Sequence, residues 1–196
     1  MFTARNVSTS SPVQVEADQY EQLITLAQGG ALQTAATAGR MFSVANQAAV
    51  ATTAGLATTW TGLGLANPAA SGKNIVLHEF GWALTVVGPD EGCVGLMTAD
   101  TTGMADSLTS QNCNDGTSTA SVMYADAGAT IGTPILRRVY GTYGTGAITT
   151  AMLYAPTVVN INGSLIIPPG RSVLTYTTTA TTASLIFHFM WEEVPV

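Results

Sequence analysis

Hydrophobic and polar positions change rhythm about forty residues into the chain. In residues 12–28 the apolar side chains Ala17, Tyr20, Leu23, Ile24 and Ala27 recur at helical spacing, with Ser11 before Pro12 as a cap and Gly29-Gly30 as a stop. That spacing predicts a short helix. The alternative is an extended arm lying on a neighbouring subunit, since Glu16, Asp18 and Glu21 suit either state. Residues 1–11 (MFTARNVSTSS) are polar and aperiodic and read as a flexible arm. Beyond Gly39 the rhythm is that of strands: residues 41–46 (MFSVAN), 58–66 (TTWTGLGLA) and 74–87 (NIVLHEFGWALTVV) are rich in strand formers. Asn67-Pro68, Ser71-Gly72 and Gly88-Pro89-Asp90 mark the turns between them.

The last forty residues carry the most regular pattern. Residues 158–168 (VVNINGSLIIP), 171–178 (RSVLTYTT) and 184–193 (SLIFHFMWEE) are expected to pair as a hairpin of long strands, the first two joined through Pro168-Pro169-Gly170. Proline presets φ and glycine accepts φ > 0, which makes the step a turn. Residues 100–133, dominated by Gly, Asp, Asn, Ser and Thr, read as long loops with short strands, one of them at 121–125. Further strands are predicted at 134–141 and 147–154. About eight strands with irregular connections predict an all-β fold, a jelly-roll β-sandwich over residues 39–196 behind an N-terminal arm of residues 1–38.

Composition sharpens the picture. The chain has 196 residues, enough for one domain with its own core plus an arm. Only 9% of them are charged, against roughly 25% in an ordinary globular domain. Small neutral residues stand in their place. A surface so poor in charge does little to repel its neighbours, so other subunits are expected to cover much of it. The net charge of −6 sets twelve acidic residues against Arg5, Arg40, Lys73, Arg137, Arg138 and Arg171. A polyanion needs a basic stripe to displace its counterions, so no direct nucleic-acid binding is expected. Arg137-Arg138 alone is locally basic, and reads as a solvated or interface pair. No basic leader followed by an apolar stretch opens the sequence, and no window reaches about 18 uninterrupted apolar residues. The expectation is a protein made in a cytoplasm, with no membrane as partner. Cys93 and Cys113 flank a polar loop and would close it if their strands were neighbours, although a cytoplasm keeps thiols reduced.

Candidate chemistry is sparse. Residues 67–74 (NPAASGKN) have the outline of a phosphate-binding loop, yet Asn67 stands where its first Gly belongs and Asn74 where its Ser or Thr belongs. A tight inter-strand turn explains the stretch better. His78 and His188 both lie inside apolar strand runs, LHEFGW and IFHFMW, and read as core or interface residues. Strict alternation sends adjacent His78 and Glu79 to opposite sheet faces. Asp100, Asp106, Asn112, Asn114 and Asp115 supply oxygens in the middle loops, but lack a calcium loop's length and terminal bidentate carboxylate. Trp191 continues the apolar face of Leu185, Phe187 and Phe189 and reads as core or as a subunit anchor. No catalytic residue, metal or cofactor is expected.

Residues 39–196 nevertheless resemble a known group. The order FSVANQAAVATTAGLATTWTGLGLANPAASGKN, NIVLHEFGWALTV, NGSLIIPPGRSVLTYTTT and WEEVPV is similar to structural proteins of tailed bacteriophages, most specifically in LANPAASGKN, SLIIPPG and WEEVPV. The resemblance implies a homotrimeric jelly roll that decorates or cements the capsid surface of a virion, made in the host bacterial cytoplasm, with the phage major capsid protein as partner. Interface candidates are Arg5, Tyr20, Arg137, Arg138, Tyr140, Tyr143 and Trp191. Two rivals remain open. One is a receptor-binding or fibre adhesin using loops 88–118 and 140–146, where Tyr140, Tyr143 and GTYGTG supply adaptable contact chemistry. The other is a glycan-cleaving enzyme, for which Glu192 and Glu193 are ill placed as neighbours on opposite strand faces.

Overall fold

The computed structural model describes residues 3–5, 12–14, 16–17, 23–24, 30–85, 91–101, 103–143 and 157–196. The chain divides into two compact units, Met1–Thr34 and Ala35–Val196. In the first, β1 (Thr3–Arg5) pairs antiparallel with β2 (Pro12–Gln14), and β3 (Glu16–Ala17) with β4 (Leu23–Ile24). The helix expected over 12–28 is therefore corrected: every described residue of that stretch is in a strand. Its apolar positions fit helical spacing, but Val13 and Val15 are β-branched and stiff at χ1, which favours extended backbone. The one helix among the described residues, α1 (Ala31–Thr37), comes after the double glycine. Its sequence ALQTAAT is rich in strong helix formers. It stops at Gly39, whose φ of 70° lets its N–H reach Ala36 O at 2.8 Å while Arg40 N–H reaches Ala35 O at 3.0 Å.

The remaining strands are β5 (Met41–Ala45), β6 (Val50–Thr52), β7 (Thr59–Ala66), β8 (Lys73–Leu84), β9 (Gly92–Asp100), β10 (Gln111–Asn112), β11 (Tyr124–Thr130), β12 (Ile135–Tyr143), β13 (Thr157–Ile167), β14 (Arg171–Thr177) and β15 (Thr181–Pro195). They form two antiparallel sheets packed as a β-sandwich, one ordered β10-β5-β15-β8-β13 with β6 also on β15, the other β11-β7-β14-β9-β12. The strand predicted at 147–154 lies outside the described residues.

The C-terminal hairpin is also corrected. β13 pairs with β8, β14 with β7 and β9, and β15 with β5 and β8, so these consecutive strands alternate between the sheets. Pro168-Pro169-Gly170 does turn the chain, with Gly170 at φ 82° and its N–H on Asn67 O at 2.8 Å. It turns it across the gap between sheets. Turn residues dictate a reversal of direction and leave the choice of partner strand to packing.

The core lies between the sheets. Leu185, Phe187, Phe189 and Trp191, alternate residues of β15, are each fully buried. Phe80 of β8 is their aromatic hub, with ring centroids at 5.4 Å to Phe189 and Trp82, 5.9 Å to Tyr140 and 6.2 Å to Phe187. Trp191 stacks on Phe42 at 5.9 Å. Successive residues of the second sheet feed different clusters: Leu65, Leu96 and Val173 join this core, while Ala66, Met97 and Leu174 join Trp60, Met104 and Ile131 in a second one. Gly64 makes room for that second cluster, because a Cβ there would stand 2.6 Å from Met104 Cε and 3.0 Å from Trp60 Cη2.

Replacing Trp191 with Ala should lower stability by about 3–5 kcal/mol through lost burial and the cavity left behind. Urea denaturation reads this directly, and an unchanged midpoint would contradict the core placement.

Candidate interaction surface

One side of the sandwich stands apart. β12 and β13 end their respective sheets on the same side, and Arg138 ties them, donating from Nη1 to Ser164 Oγ (2.9 Å) and from Nη2 to Ser164 O (3.2 Å). Residues 135–139 of β12 are all exposed. Half of the large hydrophobic side chains exposed among the described residues belong to these two strands: Ile135, Leu136, Val139, Val158 and Ile166, the last at 55%. Large apolar side chains left exposed on two edge strands of one side mark a contact site. Neither strand offers a flat ladder, however. β12 shifts register against β9 between Leu136 and Arg138 and again between Val139 and Gly141; β13 breaks register against β8 between Asn160 and Leu165, where Asn162 and Gly163 take positive φ. Such bulges guard an edge against strand addition, so contacts here run through side chains.

Charge singles out the same side. Arg40 pairs with Glu192 (3.1 Å), Lys73 with Glu193 (2.7 Å) and Arg171 with Asp100. Among the described side chains, only Arg137 and Arg138 are basic and lack a carboxylate partner. The other interface candidates are placed differently. Tyr140 packs against Phe80, and Tyr143 is buried with its hydroxyl donating to Thr179 O at 2.8 Å. Trp191 has no exposed surface within the protomer and serves the core. Arg5 belongs to β1, and Tyr20 lies outside the described residues. Sequence reasoning missed Ile135, Leu136, Val139, Val158 and Ile166. The available signal was the run ILRRV, apolar and basic by turns with no alternation, as suits a strand open on both faces.

The titratable groups gather on the outer face of the first sheet, in an arrangement that strict alternation did not foresee. β8 carries a bulge: Leu77 faces Trp191 and Glu79 faces Met190, leaving His78 as the extra residue. His78 and Glu79 therefore turn to the same face, which corrects the expectation of opposite ones. Each is partnered across strands. Glu79 Oε1 lies 2.8 Å from His188 Nε2, and Glu192 Oε2 lies 3.7 Å from His78 Nε2. His188 fits there because it lies over Gly81, where any Cβ would collide with the imidazole. Glu192 and Glu193 do point apart. Glu193 is 1% exposed and takes Lys73 Nζ, Ser121 Oγ (2.6 Å) and Val122 N–H (3.1 Å) on the opposite side. No bond could lie between the two carboxylates. Although Cys113 is exposed, partial desolvation of its thiol holds the pKa above its ordinary value, a hydrogen bond with Ser43 pulls it the other way, and the Glu79 charge adds a smaller upward push.

The remaining sequence candidates are absorbed by structure. Residues 67–74 form the β7–β8 turn: Asn67, fully buried, donates from Nδ2 to Lys73 O (2.7 Å) and Ile167 O (2.9 Å), and Ser71 Oγ donates to Asn67 Oδ1 (2.5 Å). With Lys73–Glu193 and the Val196 N–H on Gly72 O (3.1 Å), this turn brings LANPAASGKN, SLIIPPG and WEEVPV together at one end of the sandwich. The middle-loop oxygens are used separately: Asp100 on Arg171, Asp106 on the Ala125 N–H, Asn112 Oδ1 on the Asn114 N–H, and Asp115 on the Gly116 N–H. Among the described residues no group of three His, Cys, Asp or Glu could hold a metal ion, and no helix is long and apolar enough to cross a membrane. Cys93 in β9 and Cys113 after β10 belong to different sheets and are free thiols.

Comparison with known proteins finds no matching family model, no matching curated protein and no matching solved structure.

The raised Cys113 pKa has a measurable consequence. In a Cys93→Ser background, Cys113 should react with a disulfide reagent more slowly than free cysteine at pH 7 and speed up as pH rises beyond the usual thiol range. A fast reaction at neutral pH would show that the thiolate is favoured instead.

Proposed function

We propose that this protein is a virion structural subunit: a homotrimeric decoration, or cement, protein that sits on the capsid surface of a tailed bacteriophage and bridges major capsid subunits. The observation that carries the reading is the β12–β13 side, where Ile135, Leu136, Val139, Val158 and Ile166 are exposed and β12 also carries two arginines without carboxylate partners. A chain with 9% charged residues that leaves such a surface open is built to be covered.

The fold supports the same reading. Four strand pairs nest inside one another, β5 with β15, β7 with β14, β8 with β13 and β9 with β12. Nested pairing of this kind, with consecutive strands crossing between sheets, is how a jelly roll wraps, and capsid proteins use that architecture, as do lectin domains and cupins. Fold alone does not decide among those uses. The resemblance of the chain to phage structural proteins favours the first. Decoration also asks only for contact surfaces. Weak contacts repeated over a shell sum by multivalency, so modest individual affinities suffice to resist pressure from a packaged genome.

Quantitative mass spectrometry of purified particles, normalised to the major capsid protein, tests this. Hundreds of copies per particle are expected. A few to a few dozen would point to a tail or vertex adhesin, and absence would overturn the virion reading. A protein lacking residues 1–34 should keep its fold, because Ala35–Val196 is a compact unit by itself. It should bind decoration-free capsids more weakly; equal binding would remove the arm from the mechanism.

A further inference from the structure

We infer that copies of this chain associate head to tail, the β12–β13 side of one against the β11 side of the next. The inference rests on the proposed trimer only for the number of copies that close a ring.

The β11 side is the opposite edge of the sandwich, four strand spacings from β12 in the same sheet, or about 19 Å. It is closed by a segment that crosses between sheets: Leu108 N–H bonds Ala125 O on β11 at 3.0 Å, and Gln111 and Asn112 then pair with β5 in the other sheet. Its side chains complement the β12–β13 side. Val122 and Tyr124 are exposed large hydrophobics, at 39% and 43%. Asp106, exposed, stands beside them and accepts the Ala125 N–H, and Asp115, also exposed, lies three residues beyond β10, which ends the first sheet at the edge away from β13, and accepts the N–H of Gly116. Neither has a cation within reach among the described residues. Among the described side chains two other carboxylates lack a cation partner: Asp126, buried and saturated by Ser107 Oγ and the Ala105 N–H, and Glu91 just before β9. One side is thus apolar and basic, and the opposite side apolar and acidic.

A two-fold contact fits this distribution poorly. Antiparallel apposition of two β12 strands centred on residues 135–139 would set Arg137 against Arg137, and like charges placed directly opposite are destabilising. The register shifts in β12 also deny such a pair a continuous ladder. Head-to-tail apposition places Arg137 and Arg138 against Asp106 and Asp115 and covers apolar side chains on both partners. A contact between different faces closes into a ring when its rotation permits, and otherwise propagates as a filament.

Charge reversal in the full chain tests the pairing, with mass read by light scattering during gel filtration and folding by circular dichroism. Arg137→Glu with Arg138→Glu should raise the concentration at which the assembly dissociates at least about tenfold. Asp115→Arg with Asp106→Arg should do the same, and all four substitutions in one chain should restore association. Because Asp106 holds a backbone N–H, Asp115→Arg alone replaces that pair should the double variant fail to fold. Reversals without effect, or a combined variant that stays dissociated, would overturn the pairing while leaving a trimer of other geometry standing. A wild-type protein monomeric at all concentrations would overturn both readings. Open polymers that dissolve on either reversal would support the head-to-tail contact and overturn the closed trimer.

Discussion

The inward row of β15 is the constraint to which the rest of the sandwich answers. A strand alternates its side chains with a period of two, and here Leu185, Phe187, Phe189 and Trp191 all fall on the buried side of a strand flanked by β5 and β8. The next inward position is Glu193. A carboxylate cannot be buried without partners at acceptable cost, so this end of the row is obliged to recruit Lys73, Ser121 and the Val122 N–H. Those groups come from the start of β8 and from the segment before β11. Filling one row of one strand thereby sets how the β7–β8 turn and the approach to β11 lie against the end of the core.

Bulges then decide what faces outward. One extra residue in β8 brings His78 and Glu79 to the same face, where Glu192 and His188 on β15 receive them. With Arg40 on Glu192, Lys73 on Glu193 and Arg171 on Asp100, the described cations other than Arg137 and Arg138 are matched inside the protomer. The pattern explains how a protein with so little charge can still present a polarised surface. Arg137 and Arg138 stand out because the other described cations are paired, and the apolar side chains around them lie on strands interrupted just where a regular ladder would invite another strand.

Much of the fold was legible in the residues, and the misses have physical causes. β7, β8, β12, β13, β14 and β15 lie close to where strand formers and turn residues place them, and β8, β13 and β15 alternate between a buried and an outer face over much of their length. β9 was not seen: GCVGLMTAD feeds two hydrophobic clusters, one on each face, and a strand buried on both sides shows no alternation. The helix over 12–28 failed because five apolar positions at helical spacing are equally available to short strand pairs. The hairpin failed because Pro168-Pro169-Gly170 specifies a reversal and says nothing about which sheet receives the next strand. Of the candidate surface, Arg137 and Arg138 were visible as a basic pair, while the exposed hydrophobics beside them were not. Exposure depends on β12 and β13 being edges, a property of sheet order that a local pattern does not carry.

That β15 follows β5 to β14 in sequence yet lies at the centre of its sheet has a bearing on how the protein comes into being on the ribosome. The strands from β5 to β14 emerge first, and neither β5 nor β8 can complete its ladder until residues 181–195 are free of the exit tunnel. The nested pairs likewise join positions far apart in sequence, a topology that is slow to close and leaves apolar strands uncovered meanwhile. Until then the first sheet lacks the strand that joins β5 to β8. Low charge makes that interval hazardous, and the register shifts of β12 and β13 are the kind of interruption that guards an open edge against a wrong partner.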